Sequence, residues 1–147
     1  MTHAVFCLIG TSAQADRIIR ALGVLGLVEV SLMVPGGEAP PDRWDPDLMA
    51  APHVACLLDL PGTEGFTVVG PLLRVWLERK PTGWAGIADA LEEIGLSPGD
   101  AVFIVRHLAD GYGLIVVHTD HPDDLARAEG TFLAADAAGT LRGEAAA

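Results

Sequence analysis

Basic side chains are scarce in this chain of 147 residues, where nine Lys and Arg stand against 20 Asp and Glu for a formal charge of −11. Neutralising a nucleic-acid backbone takes clustered cations, and the densest group is Arg74, Arg79 and Lys80, so no nucleic-acid partner is expected. Cysteine is nearly absent too. Cys7 and Cys56 lie far apart and outside any CxxC spacing, which excludes a disulfide framework and reads as two buried free thiols. Although half the residues are hydrophobic, no uncharged apolar run reaches the ~18 residues that cross a bilayer. The longest, Leu48 to Leu58, is interrupted by Pro52 and His53. Met1-Thr2-His3 and the apolar run after it have neither the basic start nor the cleavage site of a secretory signal. The expectation is a soluble, cytoplasmic, single domain over 1–147 with no membrane span, large enough to bury a core without metal or disulfide staples.

What is present is organised. Ala4 to Ile9 (AVFCLI) is a continuous run rich in strand formers, fit for a strand near the centre of a sheet. Thr11 followed by Gln14 fits a capping box, and Ala15, Ile18, Ile19 and Leu22 recur at the spacing of one helix face as far as Gly26. Val28, Val30, Leu32 and Val34 alternate with Glu29, Ser31 and Met33, the period of a strand with one buried face. Residues 35–47 read as a loop, because Pro35, Pro40, Pro41 and Pro46 remove backbone donors and Gly36-Gly37 loosens the rest. Residues 48–110 read as a mostly helical insertion. Asp47 to Leu60 is ambiguous between helix and strand, and Gly70-Pro71 opens a helix with Leu72, Leu73 and Trp76 on its apolar side. A further helix runs from Gly83 to Ile94, with Ile87, Ala88 and Leu91 inward. The next starts at Ser97-Pro98-Gly99-Asp100, with Ala101, Ile104, Val105 and Leu108 inward. Leu114 to His118 is a strand, Pro122 to Ala135 a helix facing inward with Leu125, Ala128 and Phe132, and Thr140 to Arg142 a short strand.

The two ends resemble each other as strand, turn, helix, glycine and strand. Two such units can pair into one four-stranded sheet with both helices on one face. The expected fold class is therefore α+β, a ferredoxin-like sheet with extra helices inserted in the middle. The other sheet face needs solvent, the middle helices or a second subunit.

Three stretches carry a family resemblance: AVFCLIGTSAQADRIIRALGVLGLVEVSLMVP, LPGTEGFTVVGPLLRVWLE, and the end from Gly86 through Gly139, including LSPGDAVFIVRHLADGYGLIVVHTDHPDDLARAEG. In order and spacing they resemble the bacterial general stress protein family, the heat-induced YflT-like domains, over about four fifths of the chain. The resemblance implies a stress-associated domain and supplies no catalytic residues. Where the family often has a long zipper of small residues, this chain has Arg74, Trp76, Glu78, Arg79, Lys80, Pro81 and Trp84, so membrane packing or assembly through such a zipper does not carry over.

The densest polar constellation is His118, Asp120, His121, Asp123 and Asp124. Imidazole and carboxylate groups can ligate a divalent metal. The simpler reading makes Asp120 a helix cap and places Asp123 and Asp124 at the positive end of the helix dipole. A nucleophilic Cys7 would need a cation beside it, such as Arg20 or His3. Glu92 and Glu93 are adjacent on a helix and so point apart, while His53 and His107 read as exposed polar positions. No glycine stretch matches a phosphate-cradling motif. Trp44, Trp76 and Trp84 bracket the middle segment, where they suit core packing, a pocket or an interface. With no catalytic constellation assembled, no catalytic, cofactor or metal residues are assigned. The chain reads as a non-enzymatic protein acting through self-association, most simply as a homodimer through its sheet faces or middle helices, or through partner binding. A small-ligand or metal-binding domain is the alternative.

Overall fold

The computed structural model describes residues 3–27, 29–35, 56–58, 66–69, 83–135 and 139–144. In chain order the elements are β1 (His3–Ile9), α1 (Ser12–Val24), β2 (Val30–Pro35), β3 (Cys56–Leu58), β4 (Phe66–Val69), α2 (Gly83–Glu93), α3 (Pro98–Ala109), β5 (Gly113–Thr119), α4 (Pro122–Ala134) and β6 (Gly139–Glu144). This is an α+β fold, whose six strands form one sheet in the order β3-β4-β2-β5-β1-β6 with antiparallel neighbours.

β1 lies between β5 and β6, with Phe6 opposite Val116 on one side and Leu141 on the other. One face of the sheet is covered by α1 and α4, where Val5, Cys7, Ile9, Ile115 and Val117 meet Ala15, Ile18, Leu22, Leu125, Ala128 and Phe132. The opposite face is covered by α2 and α3, where Ala4, Phe6, Leu8, Leu114 and Val116 meet Ile87, Leu91, Ile104 and Leu108. Burial on both sides explains why β1 and β5 read as unbroken apolar runs rather than alternating ones. Each large side chain fully removed from water, such as Phe6 or Phe132, contributes roughly 1.5–3 kcal/mol.

The helices form where capping and periodicity place them. Thr11 accepts from the Gln14 backbone N–H at 3.2 Å, and Gln14 Oε1 accepts from the Gly10 N–H at 2.8 Å, closing the capping box of α1. Ser97 accepts from the Asp100 N–H at 3.2 Å to cap α3, with Pro98 in the first turn. The turn after α2 passes through Gly95 at φ 112°, a left-handed backbone that favours glycine.

Three expectations change. β2 does not have one buried and one wet face, since Ser31, Leu32 and Met33 are all buried, because α2 and α3 close the second face and a side-chain partner lets the polar Ser31 sit beneath it. Within the mostly helical insertion β3 and β4 extend the sheet beyond β2, and Pro35 ends β2 rather than opening the loop. Finally, with β1 and β5 covered on both faces by the chain's own helices, those sheet faces are not available for a dimer. The expected loop over 36–47 and the helix from Gly70 lie outside the described residues, as do Trp44, His53 and Trp76. Among the described residues no helix is long and apolar enough to cross a membrane.

The resemblance between the two ends is a register. β1 and β5 are both seven residues long, α1 and α4 both thirteen. His3 corresponds to Gly113, Ser12 to Pro122, and the caps Thr11 and Leu25 to His121 and Ala135, a constant offset of 110. The inward residues correspond too: Ala15, Ile18 and Leu22 with Leu125, Ala128 and Phe132.

Candidate functional site

The polar constellation gathers where β5 passes into α4, facing the turn between α1 and β2. A cavity of about 220 Å³ there is lined by Glu29, His118, Asp120, His121 and Asp124, among others. Its groups are held by one another. The Thr119 hydroxyl accepts from the His121 N–H at 3.0 Å and donates to Asp124 Oδ2 at 3.3 Å. Asp124 Oδ1 takes a further hydrogen bond from Arg127 Nη1 at 3.1 Å. His121, not Asp120, is the N-cap of α4, and it makes no side-chain capping bond; the Thr119 hydroxyl organises the turn instead. Asp123 and Asp124 do occupy the first helical turn, where the unpaired backbone N–H groups favour negative charge.

His118 lines the same cavity but pairs with Ser31 rather than with these carboxylates. Its Nε2 lies 2.7 Å from Ser31 Oγ, and burial lowers its pKa from 6.5 to about 4, so the ring is neutral at physiological pH. A neutral imidazole can accept the Ser31 hydroxyl proton at Nε2, the arrangement that activates a serine in nucleophilic catalysis. Here it cannot serve that end, because Ser31 has no exposed surface and a substrate carbonyl cannot approach its Oγ. The pair instead satisfies two polar groups beneath a helix layer. Among the described residues no group of three or more His, Cys, Asp or Glu is arranged to hold a metal ion.

Cys7 is also sealed. It is fully buried between β5 and β6, and desolvation pushes its thiol up to about 12, the reverse of what a nucleophile needs. Arg20 does not activate it, since Arg20 Nε pairs with Asp16 at 3.1 Å on the exposed side of α1. His107 is held between the rings of Phe103 and Tyr112, at centroid distances of 4.4 and 5.2 Å, and its Nδ1–H donates to the Phe103 carbonyl at 2.9 Å. Glu92 and Glu93 follow each other on α2 and form no carboxylate pair. Trp84 packs partly buried against the α2–α3 core.

The larger concavity lies elsewhere, between α1 and α4. It measures about 490 Å³ and is lined by Arg17, Ile18, Ala21 and Leu25 on one side and by Arg127, Gly130, Thr131, Ala134 and Ala135 on the other. Its ends are tied across the helix pair. Gln14 Nε2 donates to the Ala135 carbonyl at 2.8 Å, and Arg127 Nη2 donates to the Leu25 carbonyl at 3.0 Å, so each helix has its last turn held by the other. The groove exists because α4 carries Gly130 and Ala134 at the places corresponding to Arg20 and Val24 of α1, and such short side chains leave the space unfilled. The sequence does not announce it, because Gly130 and Ala134 mark a groove only once α1 lies beside them.

No family model, curated protein or solved structure matches the chain.

Proposed function

We propose that this is a non-enzymatic, cytoplasmic module of the general stress protein kind, built on a ferredoxin-like core and acting through association with a second copy or a partner. The order β2-β5-β1-β6, with α1 and α4 packed on one face, supports the ferredoxin-like reading. The family reading rests on the order of the three sequence stretches. Against an enzyme built on them stand the closed environments of Cys7 and Ser31, two described side chains of nucleophilic type.

The observation that carries the association reading is on α3. Val102 remains 45% exposed, and Phe103, whose ring lies beside Gly139 of β6, remains 38% exposed. Phe103 is flanked by His107, which touches Tyr112 in turn, making an apolar and aromatic surface of the kind that marks contact sites. Native mass spectrometry at low micromolar concentration tests the reading. The expected result is an even multiple of the 15.3 kDa chain, reduced to single chains by Val102→Glu, whose side chain projects from an exposed helical position and leaves the core intact. A wild-type chain that stays single at high concentration and retains no partner overturns it.

A further inference from the structure

We propose that the groove between α1 and α4 is a binding site for an aliphatic carboxylate, with the carboxylate at Arg17 and the hydrocarbon tail running toward Leu25. The site is separate from the α3 surface and does not depend on association.

The chemistry of the occupant follows from the two arginines and what lies between them. Arg127 is already engaged, its Nη1 on Asp124 and its Nη2 on the Leu25 carbonyl. Arg17, at the corresponding place on α1, has no such duty, because Gln14 makes the equivalent tie to Ala135. It makes no hydrogen bond or ion pair among the described residues. In a chain with a formal charge of −11, an uncompensated guanidinium at the mouth of a groove selects an anion and presents a planar fork suited to a carboxylate. One free cation calls for one anionic group. Beyond it the lining is Ile18, Ala21, Leu25, Gly130, Ala134 and Ala135, with the Arg127 guanidinium and the Thr131 hydroxyl already committed to hydrogen bonds, so the rest of the ligand is apolar and has no aromatic surface to stack on. Arg17 and Leu25 are eight residues apart on one helix face, a span of ~12 Å at the α-helical rise, which suits an extended medium-length chain. The volume of about 490 Å³ falls within the range of small-molecule sites, about 300–1,000 Å³.

The site is also built to persist when empty. The cross-ties Gln14 to Ala135 and Arg127 to Leu25 hold the two helices at both ends, while Ile18 and Ala135 anchor its floor in the core. A ligand entering it therefore meets a preformed groove.

Isothermal titration with dodecanoate tests this, with dodecyltrimethylammonium as the same tail bearing the opposite charge and acetate as the head alone. Dodecanoate is expected to bind saturably at one per chain and neither control to do so. Arg17→Gln, at an exposed position, should weaken dodecanoate about tenfold or more by losing a charge-assisted contact. Ala134→Phe, also at an exposed position, should fill the groove and abolish binding while Arg17 is intact. Circular dichroism melting of both variants confirms that they fold. No saturable binding of dodecanoate to the wild-type chain overturns the proposal. So does equal binding of the cationic amphiphile, or Arg17→Gln and Ala134→Phe variants that bind like wild type.

Discussion

The two strand-to-helix turns, Gly10–Gln14 and Asp120–Asp124, occupy corresponding places in the two halves and are wired differently. In the first, the side chains are neutral: Thr11 caps the helix, and a single glutamine makes the remaining bonds. Gln14 accepts from Gly10 through its oxygen and donates to Ala135 through its nitrogen. In the second, the corresponding Asp124 can only accept, so Thr119 and Arg127 donate to it, and Arg127 reaches across to the Leu25 carbonyl in place of a glutamine amide. A fixed backbone thus preserves the tie between helices while its donor changes from a neutral amide to a guanidinium that is also ion-paired within its own helix. The substitution also frees Arg17, since the half that uses glutamine has no need of its arginine.

The largest effects should come where the halves are alike. Phe132→Ala and Leu22→Ala truncate corresponding, fully buried side chains in one core, and each should lower unfolding free energy in urea by about 3–5 and 2–5 kcal/mol respectively. A Phe132 variant as stable as wild type would mean that the two halves do not share a core.

Acidification separates the halves, because Leu8 stands where the other half has His118. The folded pKa of His118 lies at about 4, below its ordinary 6.5, so the unfolded chain binds the proton more readily. Its contribution is therefore complete above pH 6.5 and is lost as pH falls toward 4. Melting temperatures across that window should decline in the wild type and decline less steeply in His118→Gln, which keeps a partner for Ser31. Parallel curves would remove His118 as a source of the acid sensitivity.

Smaller effects distinguish the two ties. Gln14→Ala removes two partly buried hydrogen bonds and should cost about 1–2 kcal/mol by chemical denaturation, with little change when salt is added. Arg127→Ala should cost under about 1 kcal/mol, because its pair with Asp124 is partly exposed, and that cost should shrink in 1 M salt, where the screening length is about 3 Å. Equal salt dependence would contradict the assignment of one tie to a neutral amide and the other to an ion-paired guanidinium. The least perturbing measurement is alkylation of Cys7, whose thiol at about 12 and full burial should protect it at pH 8 until the chain unfolds; rapid native labelling mapped to Cys7 would show that β1 is not sealed between β5 and β6.

Much of this architecture is legible in the sequence, and the reason differs by element. The caps at Thr11 and Ser97 and the stripes at Ile18, Ile104 and Phe132 could be read directly, because capping and helical periodicity are local. Ser31 was misleading. A serine within an alternating strand signals solvent, whereas here it is buried and paired with His118, 87 residues away. The same contact engages His118 Nε2, although the side chain still lines the cavity beside Asp120, His121 and Asp124. The groove was illegible for a related reason: Gly130 and Ala134 look like ordinary surface residues until α1 is set beside them.

The placement of β1 has a consequence for how the molecule comes into being. Both neighbours of this interior strand, β5 and β6, lie roughly a hundred or more residues later in the chain. On a ribosome that adds about 5–20 residues per second, β1 emerges first and waits several seconds for either partner. Until then an apolar strand and half of an amphipathic helix pair have nothing of their own to cover them. Such long-range pairing slows folding, and it makes the nascent chain, rather than the finished protein, the form most in need of a chaperone.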